Sequence, residues 1–353
     1  MIEDYGWSDA LQAQFAAYAA SNLVPARVIA QHRDLYVLTT AAGEVEARLS
    51  GRFVHTQARE DFPVTGDWVA ALAHGESEAT IHHRLPRSSL FTRKAAGRAL
   101  VSQAIAANVD RVLIVSSLNT DLNPRRLERA LVIANESGVE PVIVLTKADL
   151  CADAAAQSAC LGPLAEGVRV ITVSAMTGQG IAEIRALVPR GITAVLMGSS
   201  GVGKSTLANA LLGEARMVTR DIRLHDERGQ HTTTHRELLL VPDGGCILDT
   251  PGMRELGLWD GEAGIGSTFS DIEALAGNCR FRDCAHDREP GCAVREALEE
   301  GQLDPARWQG YLKLQRELAH LVRKEDPAAR VAEKKRWAAI SKKLRNGKRH
   351  WEE

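Results

Sequence analysis

Aromatic residues supply only 5% of the 353 residues, and no run approaches the eighteen or so uninterrupted apolar residues that a membrane helix needs. The opening stretch Met1-Ile2-Glu3-Asp4-Tyr5-Gly6-Trp7 is acidic and lacks the basic start and apolar run of a secretion signal. These absences argue against membrane and exported classes, so a cytoplasmic protein is expected. Excess charge is lacking too: the net charge is -2, from 43 Lys and Arg against 45 Asp and Glu. The balance conceals a basic tail, because eleven Lys or Arg face three acids between Arg323 and Arg349. A disulfide framework is missing, since Cys151, Cys160 and Cys246 are scattered. Cys279, Cys284 and Cys292 instead crowd into fourteen residues with a histidine, which suits a metal in a reducing compartment better than bridges.

What is present is an ordinary globular composition, 45% apolar and 25% charged, on a chain too long for one hydrophobic core. Residues 9–20 are Ala-rich and read as a helix. Five short β-prone runs follow, at 24–31, 34–40, 44–50, 67–74 and 78–84, punctuated by Gly43, Gly51, Gly66 and Gly75. This pattern fits a small barrel of the oligonucleotide-binding (OB) type, which commonly grips nucleic acid; a barrel used only for packing is the other reading. Residues 87–94 read as a basic linker. From Asn108 onward apolar strands alternate with helices: strands at 111–116, 141–145, 169–173 and 192–197, helices at 124–135 and 205–212. That alternation argues for a parallel sheet covered on both faces. Runs 237–241 and 246–248 flank a hairpin turn, Pro242-Asp243-Gly244-Gly245.

Gly198-Ser199-Ser200-Gly201-Val202-Gly203-Lys204-Ser205 stands between an apolar strand and an amphipathic helix, the context in which a phosphate loop has meaning. Its glycines let successive N–H groups turn toward phosphates, with the helix N-terminus adding its positive end. Lys204 is expected on the β- and γ-phosphates and Ser205 on Mg²⁺, while Thr206 joins the candidate nucleotide-binding set. About fifty residues later, Asp249-Thr250-Pro251-Gly252 falls where Asp249 would hold Mg²⁺ through water and the Gly252 amide would bond the γ-phosphate.

Thr146-Lys147-Ala148-Asp149 lies about fifty residues before the phosphate loop, where an ordinary GTPase carries such a stretch well after it. The inverted order indicates a circularly permuted GTPase. Asp149 can accept from both guanine N1–H and the exocyclic amine, and losing two such bonds, roughly 1.5–3 kcal/mol each, rejects adenine. Lys147 is expected along the base plane, and Ser174-Ala175 completes the pocket through the Ala175 N–H. Thr146 stands where Asn is usual, so weaker guanine affinity is expected.

Arg228-Gly229-Gln230-His231-Thr232-Thr233-Thr234 holds the switch threonine that must reach Mg²⁺, assigned to Thr233 with Thr232 as alternative. A water-orienting Gln after Asp249–Gly252 is also lacking, since Met253 stands there. His231 is the candidate to position the nucleophile, against the reading of a surface histidine.

Cys279-x4-Cys284-x-His286-x5-Cys292 offers three thiolates and an imidazole, enough to close the shell of one structural zinc ion; free or redox-active thiols are the alternative. Lys334-Lys335-Arg336-Trp337, Lys342-Lys343, Arg345 and Lys348-Arg349, with Trp351, suit phosphate neutralisation and stacking on RNA, or simply a solvated helix.

Taken together these residues resemble the ribosome small subunit-dependent GTPase A family (RsgA, also YjeQ or YloQ). The likeness extends to Pro63-Val64-Thr65-Gly66-Asp67-Trp68-Val69, Ile105-Ala106-Ala107-Asn108-Val109-Asp110 and Gly229–Thr234. It implies an N-terminal helix plus OB barrel over 1–96, a permuted P-loop GTPase over 97–262 and a mostly helical zinc-binding domain with a basic helical tail over 263–353. It further implies a GTP hydrolase acting late in small-subunit maturation, stimulated by that subunit and its rRNA, with His231 as the catalytic histidine beside Lys204 and Thr233. A monomer is the expectation. An RNA-binding assembly chaperone with a structural nucleotide site, or a permuted GTPase serving the large subunit, are the alternatives. Gly201 stands where potassium-activated relatives carry Asn, so potassium dependence is not implied.

Overall fold

The computed structural model describes residues 2–32, 34–94, 102–118, 122–165, 167–215, 236–249 and 262–325. Within them the chain forms two compact units, one of residues 2–94 with 102–249 and one of 262–325.

The first unit opens with helix α1 (Asp9–Phe15), capped by the Ser8 hydroxyl. The expected helix tightens at Ala16 into a 3-10 turn through Ser21, and Asn22 ends it in the left-handed region at φ 56°. Strands β1 (Val24–His32), β2 (Leu35–Thr40), β3 (Gly43–Leu49), β4 (Trp68–His74) and β5 (Glu78–Arg84) run in the order β1-β2-β3-β5-β4, and β4 pairs back with β1. β3 and β5 are parallel, and helix α2 (Gly51–Thr56) connects β3 toward β4. This is the OB barrel. Every second residue fills it: Ala26 and Val28, Tyr36 and Leu38, Val45 and Ala47, Val69 and Ala71, Ala79 and Ile81.

Residues 90–94, expected within a linker, are a strand. β6 (Leu90–Lys94) pairs antiparallel with β7 (Ser102–Ala107), and Phe91 is buried. The basic residues that suggest a linker mislead because Arg87 is spent inside: it makes a two-pronged ion pair with fully buried Asp67, at 2.7 and 2.8 Å.

A second group of strands comprises β8 (Arg111–Ser117), β9 (Glu140–Thr146), β10 (Arg169–Thr172), β11 (Thr193–Met197), β12 (Arg236–Leu240) and β13 (Cys246–Asp249). Their order is β10-β9-β8-β11-β13-β12, parallel except for the β12–β13 hairpin. The intervening helices are α3 (Pro124–Glu136), α4 (Ala154–Ala159), α5 (Gly162–Ala165), α6 (Ile181–Ala186) and α7 (Lys204–Leu212). Leu113, Val115 and Val144 pack with Ile184, Leu207 and Leu211, whereas Val112, Ile114 and Ile143 are equally buried on the other face, where α3 meets β8 and β9. Burial on both faces explains the unbroken apolar runs.

Barrel and parallel sheet are continuous. The free edge of β12 pairs antiparallel with β1, Ala30 opposite Glu237 and Gln31 opposite Arg236, giving one eleven-stranded sheet. The joint is locked by Arg27, whose buried guanidinium donates to Gly66 O (3.1 Å), Asn108 O (2.9 Å) and Tyr5 O, and stacks over Trp68. Asn108 in turn donates to Gly66 O at 3.0 Å and accepts from Ser88 N–H at 2.9 Å. The N-terminal residues brace the same joint: Trp7 packs on Trp68, ring centres 5.0 Å apart, and Asp4 pairs with Arg190.

The second unit contains α8 (Glu262–Thr268), α9 (Ser270–Gly277), α10 (Ala293–Glu299) and α11 (Pro305–Glu325). Buried Arg307 of α11 grips Asp271 of α9 with two bonds at 2.7 and 2.8 Å, donates to Thr268 O, and lies over Phe269. Tyr311 donates to Glu273 at 2.8 Å. No helix among the described residues is long and apolar enough to cross a membrane.

Candidate functional site

The loop between β11 and α7 is held by its own composition. Gly203, at φ +96°, turns the chain into α7, and Gly201 sits at φ +78°. At Gly198 an added Cβ would come within 2.3 Å of Val115 O, so only glycine lets the loop lie against β8. Val202 is the one apolar residue of the loop, and its side chain is buried in the core beneath. Lys204 Nζ donates to Gly198 O (2.7 Å) and Ser199 O (2.6 Å), which holds the ammonium across the loop's mouth. Ser205 and Thr206 follow in the first turn of α7, and Ser200 is exposed.

At the end of β9, Thr146 is buried, and its hydroxyl points at Val202 O in the phosphate loop, with Ser116 O at 3.3 Å. The inverted stretches are therefore neighbours: β9, β8 and β11 are adjacent and parallel, so Thr146–Asp149 and the phosphate loop leave the same edge of the sheet. Thr146 stands where Asn is usual. The hydroxyl does reach the loop, but its single hydrogen is committed there, leaving no donor for a base.

Lys147 adopts the left-handed conformation at φ 60°, which starts the 3-10 turn Ala148–Leu150, and the Ala148 N–H bonds Val173 O at 3.2 Å. Asp149 is exposed, and fully buried Ser174 donates its hydroxyl to Asp149 Oδ1 at 2.6 Å while accepting from Thr177 N–H at 3.2 Å. Sequence reasoning assigned this corner to the backbone of Ala175, which is half-buried beside it, and missed the part of the Ser174 side chain. Asp149 and Ser174 are 25 residues apart, and only the parallel pairing of β9 with β10 brings them together.

Asp249 ends β13, whose Leu248 pairs with Val195 of β11, so its backbone lies at the same sheet edge as the phosphate loop. His231, Thr232, Thr233 and Gly252 lie outside the described residues, as does the tail beyond Glu325. Sequence reasoning also missed Arg126 of α3, whose Nη1 donates to Ser199 Oγ at 3.1 Å; a partner 73 residues away has no local signature.

In the second unit Cys279, Cys284, His286 and Cys292 bring their ligand atoms within 4.8 Å of one another, a cluster that could hold a metal ion. Cys279 Sγ lies 3.6 Å from His286 Nδ1 and 3.9 Å from Cys292 Sγ, and His286 Nδ1 lies 3.4 Å from Cys292 Sγ. Burial acts to raise the Cys279 thiol, but the N–H groups of Val294 and Ala293 and the neighbouring thiols outweigh it and leave its pKa lowered. His286 takes the left-handed conformation at φ 60°, and its ring meets Trp308 edge-on.

A family model described as RsgA GTPase matches residues 84–259. A protein from Opitutus terrae named small ribosomal subunit biogenesis GTPase RsgA is 45% identical over 350 residues, covering 96% of this chain and 95% of its own length. One of the same name from Streptomyces coelicolor is 43% identical over 354 residues, 99% of this chain and 96% of that protein. Among solved structures, YjeQ from Thermotoga maritima superposes with a TM-score of 0.64 at 27% identity, over 84% of this chain and 99% of that one. YloQ, described as a circularly permuted GTPase, gives a TM-score of 0.60 at 26% identity, over 84% and 96%.

Proposed function

The chain belongs to the RsgA family of circularly permuted GTPases and is a GTP-hydrolysing enzyme, and from that premise we propose that it acts on the small ribosomal subunit late in its maturation, in the cytoplasm. The subunit is named for the relatives; for this chain the reading is supported by an OB barrel built onto the GTPase sheet and by the basic residues of 323–349. One observation carries it. Asp149, steadied by Ser174, and the phosphate loop, tied through Val202 to Thr146, share one sheet edge despite their inverted order.

In this reading Asp149 selects guanine, with Lys147 and Ala148 along the base and Ser174-Ala175 behind it. Gly198 to Thr206 cradle the phosphates, Lys204 neutralises the β- and γ-oxygens, and the Gly252 amide senses the γ-phosphate. Ser205, Thr233 and Asp249 would hold Mg²⁺, which when bound neutralises phosphate charge. His231 orients the attacking water, a role Met253 cannot fill. The cluster of three cysteines and His286 is assigned to structural zinc. Tetrahedral bonds of about 2.3 Å to sulfur and about 2.0 Å to nitrogen set the ligand atoms about 3.5–3.8 Å apart, close to the 3.4–3.9 Å separations among Cys279, His286 and Cys292, with Cys284 within 4.8 Å of them. The domains then divide as 1–96, 97–262 and 263–353, with GTP binding and hydrolysis controlling attachment to the subunit and release.

The test is GTP turnover with and without purified small subunits, alongside metal analysis. Turnover that rises with small but not large subunits is the expected result. Turnover indifferent to both would favour an RNA-binding chaperone whose nucleotide site only supports the fold.

A further inference from the structure

The first turn of α3 carries a cation that the nucleotide motifs do not contain. Asn123 caps the helix, its side-chain oxygen accepting from the N–H groups of Arg125 (3.0 Å) and Arg126 (3.4 Å), and Pro124 starts it with a φ already suited to a helix. Two neighbouring arginines, their backbones so fixed, reach different partners. Arg125 stays on the helix and donates to Glu128 at 2.6 Å, whereas Arg126 crosses to the phosphate loop and donates to Ser199 Oγ at 3.1 Å. Lys204 Nζ donates to the main-chain oxygen of the same Ser199 at 2.6 Å.

A guanidinium and an ammonium thus converge on one residue of the loop. Both groups carry positive charge, and an anion bound beside them is attracted to each. The phosphate loop is where such an anion binds, and charge grows on its oxygens as the γ-phosphoryl group departs.

We propose that Arg126 is a further cation of the phosphate site, a positioning residue that acts through Ser199 to steady the loop and stabilise the charge developing on the β- and γ-phosphates during hydrolysis. The proposal rests on the reading of this loop as the GTP site. It assigns α3 a part in turnover in addition to its place in the core.

The experiment compares the full chain with Arg126→Ala, Arg126→Lys and Ser199→Ala in GTP turnover, with and without small subunits, and in GDP titration. For Arg126→Ala, kcat is expected to fall by about tenfold to a hundredfold while KM and GDP affinity stay within about threefold. Arg126→Lys recovers part of the loss, since it keeps the charge and loses the fork. Ser199→Ala lowers kcat in the same direction, and combining it with Arg126→Ala adds little, because the two side chains act as one unit. Turnover by Arg126→Ala within about twofold of the unaltered chain would overturn the proposal. So would equal losses of GDP affinity and turnover, which would make Arg126 a ground-state binding or folding residue. Absence of turnover by the unaltered chain, seen before any variant is compared, would instead strike at the underlying reading.

Discussion

Two side chains at the base corner differ in how their hydrogens are committed, and that difference sets what each substitution should do. Ser174 is buried with its hydroxyl directed to Asp149, so Ser174→Ala frees the carboxylate to rotate away from a base. The loss of about 1–2 kcal/mol predicts GDP binding weakened about fivefold to thirtyfold, with ATP binding unchanged, as read by nucleotide titration. Thr146 has only one hydrogen, which is directed at Val202 O. A carboxamide carries two, so Thr146→Asn should keep the tie to the loop and gain a donor toward the base, tightening guanine affinity by about 1 kcal/mol. Affinity that is unchanged or weaker would remove Thr146 as the cause of any deficit.

At the scale of elements, the helices of the second unit depend on a charged pair. Burial alone would raise the Asp271 carboxyl, but two hydrogen bonds and the charge of Arg307 more than offset it and hold the pKa below the ordinary 3.8. The folded form thus binds its proton less readily than the unfolded chain. The pair's stabilisation is full above the unfolded value and is lost as pH falls through the lower, folded one. Thermal melts of the metal-loaded chain should therefore show an acid-side loss of stability below about pH 4, less steep in Asp271→Asn. β6 shows why an element can be misread. Its sequence looks like a linker because Arg87 precedes it and Arg93 and Lys94 end it, yet a strand is defined by its partner β7, and Arg87 is turned inward onto Asp67.

For the molecule as a whole, the joint between barrel and GTPase sheet is the feature with the largest predicted consequence. Arg27 collects carbonyl oxygens from the N-terminal segment, the barrel and the turn between β7 and β8, and burial pulls its pKa down. Arg27→Met would leave Tyr5 O, Gly66 O and Asn108 O without this donor, a cost of about 3 kcal/mol or more. Arg27→Lys should restore little, because one ammonium cannot fork to three oxygens set around a plane. Chemical denaturation should show the first unit unfolding at lower denaturant in both variants. A drop confined to the barrel would show that barrel and sheet fold separately. Much of this protein was legible in the chain itself. The glycine spacing of the phosphate loop, the Thr146–Asp149 stretch before it, and the Cys and His cluster are local patterns, since a loop, a turn and a compact ligand set are specified by residues near one another. The alternating runs likewise marked the barrel and the parallel sheet to within a residue or two. Tertiary structure alone decided the rest: the pairing of β1 with β12, the burial of Arg27, the hold of Ser174 on Asp149 and the reach of Arg126 to Ser199. Each joins groups far apart along the chain, and a contact of that kind depends on which strands become neighbours, which periodicity and spacing do not encode.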